Sequence, residues 1–183
     1  MKRIIAFILV AMMMKLPVSA HPKREELPAS SPYSIEYCFD QWNSKEKEFL
    51  FLKCEEYELN PYIMAAVIYN ESNFVPGLVH VNTNGTKDYG YGQINEVCFP
   101  FLQTKMGISS MEELLDNYRN IEAMCVIMDY HKDATGCDSC ALLRYQVGEG
   151  AYSKMVKSGK ELTTETHSRV YKLFTKIKHK SVI

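Results

Sequence analysis

Glu71 stands where an apolar run meets a polar one. Before it lies Asn60-Pro61-Tyr62-Ile63-Met64-Ala65-Ala66-Val67-Ile68-Tyr69-Asn70, which reads as a buried helix. After it come Ser72, Asn73 and Phe74, and then the Gly-rich segment Val81-Asn82-Thr83-Asn84-Gly85-Thr86-Lys87-Asp88-Tyr89-Gly90-Tyr91-Gly92-Gln93-Ile94-Asn95. A carboxylic acid at the end of an apolar helix, facing a polar loop, suits general acid chemistry. Desolvation favours the protonated form, so the group can hold a proton near neutral pH and deliver it to a leaving group.

The elements that must position this acid are mostly helical. Ser44 can cap a helix running to about Leu59. Asn60-Pro61 is a start signal, an N-cap followed by Pro at the first helical position, for a second helix that ends near Glu71. Residues 76–95 break the helical pattern with Gly77, Gly85, Gly90 and Gly92, and Asn84-Gly85 is a hairpin-type turn. Ser110-Met111-Glu112-Glu113 matches a capping box. A helix from Tyr118 to about Lys132 carries Ile121, Cys125 and Met128 on one face. Ser139 can cap a short helix through Tyr145, and Thr163 or Thr164 can start a last helix with Val170, Phe174 and Ile177 at helical spacing. The expected class is mainly α, in the α+β sense, with a small β-hairpin element around residues 78–95.

Length and composition fit one domain with a core: 183 residues, 46% hydrophobic and 23% charged. Residues 1–20 have the form of an export signal. Lys2-Arg3 precede the apolar run Ile4–Met14, and Val18-Ser19-Ala20 is a cleavage site, with the cut expected after Ala20. That run is too short to span a bilayer, which needs about 20 residues, and no transmembrane segment is expected in the mature chain. Loss of Lys2, Arg3 and Lys15 takes the formal charge from −1 to −4, which gives no electrostatic reason to bind nucleic acid. Residues 21–36, rich in Pro, Ser and charge, read as a flexible leader to a domain over 37–183.

All six cysteines (Cys38, Cys54, Cys98, Cys125, Cys137, Cys140) follow the signal. An even count in an oxidising compartment, periplasmic or secreted, favours structural disulfides, with the pairing left open. Cys137-Asp138-Ser139-Cys140 has redox-motif spacing but no surrounding βαβ pattern. With His131 the nearest His and no second close Cys pair, no metal site and no cofactor are expected.

From Pro61 to Asn95 the chain resembles the catalytic region of lysozyme-like lytic transglycosylases of the soluble-lytic-transglycosylase (SLT) type, nearest to the branch that accompanies secretion, conjugation and pilus machines. The family's Glu-Ser-x-Phe is Glu71-Ser72-Asn73-Phe74. Its Asn-x-Asn-Gly-Ser/Thr is Asn82-Thr83-Asn84-Gly85-Thr86, and its Asp-x-Gly-x-x-Gln-Ile-Asn is Asp88-Tyr89-Gly90-Tyr91-Gly92-Gln93-Ile94-Asn95. The Tyr-Asn-x-Gly motif appears as Tyr145-Gln146-Val147-Gly148, with Gln replacing Asn, and Tyr171 is the counterpart of a Tyr in the last helix. Gly92 is a further departure, since the family favours Met or another apolar residue before the Gln. The resemblance covers residues 45–178.

The resemblance implies a lysozyme-like fold and cleavage of the β-1,4 bond between N-acetylmuramic acid (MurNAc) and N-acetylglucosamine (GlcNAc) in peptidoglycan, with a 1,6-anhydro-MurNAc product. Glu71 is the implied catalytic residue, and Ser72, Gln93, Asn95, Tyr145 and Tyr171 are candidates for substrate binding. Asp88 is a possible second carboxylate; paired with Glu71 it suits the alternative of a hydrolytic muramidase, and its plainer role is a turn residue bonding its own backbone. A non-catalytic peptidoglycan-binding assembly protein is the other alternative. The implied partners are peptidoglycan glycan strands and a secretion, conjugation or pilus machine. Arg169, Lys172, Lys176, Lys178 and Lys180 read as a solvated basic face.

Overall fold

A serine caps the first helix among the described residues. Ser34 accepts a hydrogen bond from the Tyr37 N–H at 3.1 Å, and α1 (Ile35–Gln41) follows. This computed structural model describes residues 34–159 and 161–178. The expected signal segment and residues 21–33 of the expected leader lie outside the described residues. The leader does not extend to residue 36, because Ser34 and Ile35 are fully buried and the helix has started.

Helix α2 (Ser44–Glu56) is capped by Asn43, one residue before the expected Ser44, through the Lys45 and Glu46 N–H groups. Helix α3 (Pro61–Ser72) starts as expected: Asn60 Oδ1 accepts from Tyr62 N at 3.0 Å and Ile63 N at 3.3 Å, with Pro61 at the first helical position. Met64 through Asn70 of α3 are all buried, so this helix is apolar all round and runs through the core. The polar stretch after it folds into a three-stranded antiparallel sheet, β1 (Val79–Val81), β2 (Lys87–Tyr89) and β3 (Ile94–Asn95), in the order β1-β2-β3. His80 pairs with Asp88 and Asp88 with Asn95, so Asp88 lies on the central strand.

Beyond the sheet, a short 3₁₀ turn leads into α4 (Phe99–Met106), a helix the sequence reading did not anticipate although Pro100 marks its first turn. The expected capping box forms a 3₁₀ turn at Met111–Leu115, without a side-chain cap bond from Ser110; the Glu113 carboxylate instead accepts from Ser109 N and Oγ, both at 2.7 Å. Helix α5 (Asn117–Thr135) is capped by Asp116, α6 (Asp138–Val147) by Cys137 rather than Ser139, and α7 (Glu149–Lys157) was also unforeseen. Helix α8 (Glu165–Lys178) starts where expected, with Thr164 Oγ1 accepting from His167 N at 3.0 Å. The mainly α class with a small β element therefore holds, with eight α-helices among the described residues. Helix α5 lies against α2 and α6, and α3 against α8, so the helix that carries Glu71 is held by the last helix among the described residues. Among the described residues no helix is long and apolar enough to cross a membrane.

Candidate active site

Glu71 sits in the last turn of α3, half-buried. Its backbone position is set on both sides. Upstream, the buried face of α3 leaves the helix no freedom to rotate without exposing Met64, Val67 and Ile68. Downstream, Asn73 (φ 58°) and Phe74 (φ 58°) are both left-handed, and this turns the chain sharply off the helix. Two consecutive non-glycine residues in that region are costly, so surrounding structure must hold them. Phe74 supplies the hold: it is buried against Trp42 (ring centroids 4.8 Å), Tyr69 (6.1 Å) and Phe39 (6.4 Å). Ser72 is buried and its hydroxyl donates to the Ile68 carbonyl at 3.1 Å, an interaction inside the helix.

The Glu71 carboxyl is reached by a short polar chain. Arg169 Nε of α8 donates to Asn70 Oδ1 at 2.9 Å, and Asn70 Nδ2 faces Glu71 Oε1 at 3.4 Å. With its carbonyl oxygen occupied by the guanidinium, the buried Asn70 amide presents its N–H₂ to the acid. Asn70 was not picked out from the sequence, and Arg169, expected on a solvated basic face, is half-buried and bonded to Asn70 instead. Asn70 looked like the polar end of an apolar helix, and Arg169 lay in a run of cations that is otherwise a solvated face, with Lys172 and Lys178 exposed. Only the packing of α8 on α3 separates Arg169 from those neighbours.

The loop from Gly90 to Gln93 is fixed from three helices. Asn120 of α5 is fully buried; its Nδ2 donates to the Tyr89 and Leu114 carbonyls, both at 2.9 Å, and its Oδ1 accepts from Gly92 N at 2.8 Å. Tyr145 of α6 is buried and donates to the Gly92 carbonyl at 3.0 Å. Glu46 of α2 accepts from Tyr91 Oη at 2.6 Å and Trp42 Nε1 at 2.9 Å on one oxygen, and from Asn117 Nδ2 at 2.7 Å on the other. Burial and the Glu46 hydrogen bond push the Tyr91 phenol well above its ordinary pKa, so it stays a donor. Tyr91 also meets Trp42 edge-on at 5.8 Å. The aromatic path Phe74–Trp42–Tyr91 therefore joins the acid's turn to this loop.

Gly92 is a close-approach position. A Cβ there would run into the Met124 side chain of α5 and lie 2.7 Å from Tyr145 Oη, so Met124 fills the space a side chain at 92 would need. Gln93, half-buried with φ 46°, directs its Nε2 to the Gly90 (2.9 Å) and Leu78 (3.2 Å) carbonyls. Its amide nitrogen thus closes the loop onto the approach to β1, and its side-chain carbonyl oxygen is the end pointed elsewhere.

Asp88 is buried, and both its oxygens accept from side-chain amides: Oδ1 from Asn95 Nδ2 at 2.6 Å and Oδ2 from Asn82 Nδ2 at 2.9 Å. Its bonds run across the sheet and not to its own backbone. Asn95 is buried as well, with Nδ2 also on Thr86 Oγ1 at 3.1 Å and Oδ1 accepting from Val97 N. Asn82, Asp88, Asn95 and Thr86 thus form one cluster on the hairpin. Tyr171 lies on α8 against His167 (5.2 Å) and Phe174 (6.3 Å), and Arg169, two residues earlier on α8, reaches the end of α3. Glu149 pairs with the buried Arg144 at 2.7 Å.

Of the residues singled out in the sequence, the fold brings Gln93 and Tyr145 to one loop and Asp88 and Asn95 to one cluster, and Phe74, Trp42 and Tyr91 join that loop to the turn that follows Glu71. Glu46, Asn117 and Asn120 were missed. Asn120 had a signal, being a polar residue one before Ile121 and four before Met124 on the buried side of an amphipathic helix. A comparison with curated proteins returns no match. A family model for the transglycosylase SLT domain matches residues 49–168, which span the acid, the hairpin, the Gly90–Gln93 loop and the Tyr145 helix, and the chain belongs to that family.

Proposed function

We propose that this SLT-domain lytic transglycosylase cleaves the MurNAc-β-1,4-GlcNAc bond of peptidoglycan with Glu71 as its single proton carrier. The observation that carries the reading is the Glu71 carboxyl at the end of a buried helix, with one oxygen facing the Asn70 amide that Arg169 orients. In the first half of the reaction Glu71 gives its proton to the glycosidic oxygen, and the GlcNAc side departs as an alcohol. In the second, the Glu71 carboxylate takes the proton of the muramoyl C6 hydroxyl as that oxygen closes onto C1. The product is 1,6-anhydro-MurNAc, Glu71 is restored, and no water is consumed. The substrate's acetamido group stabilises the intermediate, which removes the need for a second protein carboxylate. Gln93, through its side-chain carbonyl oxygen, and Tyr145, through the loop it pins, orient the sugar at the cleavage point. The Asn70 donor holds the Glu71 carboxyl in place through both halves.

A second reading, a hydrolytic muramidase, has one observation in its favour. Asp88 is a buried carboxylate held still by two amides on the central strand, and not the self-bonded turn residue it could have been. There Asp88 stabilises or captures the glycosyl centre and water completes the reaction. Mass analysis of muropeptides released from purified peptidoglycan decides between them. Anhydro ends released by wild type and absent with Glu71→Gln support the first reading; reducing MurNAc ends, lost in both Glu71→Gln and Asp88→Asn, support the second. Folded Glu71→Gln protein that releases as much as wild type removes Glu71 from either. We further assign the protein to the exported compartment, with cleavage after Ala20, where it opens the wall locally for a secretion, conjugation or pilus machine.

A further inference from the structure

We infer that Cys137 and Cys140 form a thiol–disulfide exchange site, in which Cys137 attacks an external disulfide and Cys140 resolves the product. The geometry is that of an asymmetric pair. Cys137 is the N-cap of α6, and its Sγ accepts the backbone N–H of Cys140 at 3.4 Å. The two thiols are in hydrogen-bond contact with each other, and both residues are half-exposed. A sulfur that accepts from another thiol and from a backbone N–H at the positive end of a ten-residue helix is the one that carries negative charge. The Cys140 contact and these N–H groups hold the Cys137 thiol below its ordinary range, and the same contact together with burial pushes Cys140 up. Asp138 opposes the effect at Cys137, but its carboxylate is paired with Lys132 at 3.4 Å. Tyr152 of α7 makes a side-chain hydrogen bond with Cys140.

A second close pair makes the contrast. Cys54 of α2 and Cys125 of α5 also bring their thiols into contact, but both are fully buried, and the Cys54 contact and burial push Cys125 far above the usual thiol range. That pair is closed to reagents while the protein is folded. Exchange at the α6 cap balances as follows. The Cys137 thiolate displaces one thiolate from the external disulfide and forms a mixed disulfide. Cys140, losing its proton to solvent, then displaces the second thiolate and closes the Cys137–Cys140 bond. Two protein thiols are oxidised and one external disulfide is reduced to two thiols.

The test uses the full chain, fully reduced, with oxidised glutathione as the probe and peptide mass mapping as the readout; it is independent of any action on peptidoglycan. Wild type is expected to gain a Cys137–Cys140 disulfide without retaining glutathione there. Cys140→Ser is expected to trap glutathione on Cys137, about tenfold or more faster than Cys137→Ser traps it on Cys140. Because a variant could fail to fold, native wild type is also alkylated briefly with iodoacetamide. Label on Cys137 ahead of Cys140, Cys54 and Cys125 supports the site. Equal labelling of Cys137 and Cys140, equal trapping rates, or a wild-type mixed disulfide that never closes overturns it.

Discussion

Asn70 is the residue whose chemistry is most exposed to a single test. It touches Arg169 with its oxygen and Glu71 with its nitrogen, so replacing the amide by a carboxylate changes one contact and keeps the other. In Asn70→Asp the Arg169 bond becomes an ion pair, while Glu71 faces an oxygen where it had an N–H. The expected result is a fall in kcat of about 10- to 100-fold, the range of one hydrogen bond to a charged group. KM and the melting temperature should stay near wild type. Arg169→Lys should retain most activity and Arg169→Leu should not, because a cation at 169 is what turns the Asn70 amide. An Asn70→Asp enzyme with unchanged kcat would remove this pair from the mechanism. Ser72 shows how position in a motif and use in a fold can part: its hydroxyl is bonded within α3, so its place beside Glu71 is read here as helix chemistry.

At the scale of elements, the Gly90–Gln93 loop depends on helices that never touch it in sequence. Asn120 alone makes three hydrogen bonds to backbone groups on two segments, all buried. Asn120→Ala improves the helix propensity of α5 yet leaves two carbonyls and one N–H without partners. The expected loss is about 2–4 kcal/mol in denaturant unfolding, with a drop in turnover as Gln93 loses its seat. Gly92→Ala tests the same region from the other side. Its methyl group meets Met124, and overpacking of this kind costs about 1–3 kcal/mol. The double variant Gly92→Ala/Met124→Ala should recover part of that loss, which a melting series on the four proteins reads directly. Absence of any recovery would mean that Met124 is not what keeps position 92 bare.

Across the whole molecule, the end of the chain closes onto its centre, and one histidine reports on that closure. His167 of α8 is buried, and its Nε2 lies 3.1 Å from both Ser139 Oγ and the Ser139 carbonyl of α6. Burial lowers its pKa from the ordinary 6.5, against a smaller opposing pull from the Ser139 carbonyl. The native state therefore resists the proton that the unfolded chain takes up. The stability His167 contributes is fully present above about pH 6.5 and is lost as the pH falls through that value toward the lower folded one. Chemical denaturation between pH 7.5 and 5 should show the decline, and His167→Gln should flatten it while retaining a ring-sized polar contact to Ser139. A wild-type profile that rises on acidification would contradict the assignment.

Much of the helical framework was legible in the residues themselves. Asn60-Pro61 announces α3, the apolar run after it announces burial, and Thr164 announces α8, because caps and periodicity are local properties of a chain. The short helices α1, α4 and α7 were not legible, since elements of seven to nine residues carry too few turns for a periodic pattern. The Gly-rich loop could be read from order and spacing, and so could the family. What the sequence could not decide is which side chains meet: Arg169 with Asn70, Glu46 with Tyr91 and Trp42, Asn120 with Gly92, Cys137 with Cys140 rather than with any other cysteine. Three of these five contacts join residues far apart in the chain, and the direction of a polar side chain is set by the packing of the elements that carry it. That is a property of the folded whole and of no segment alone.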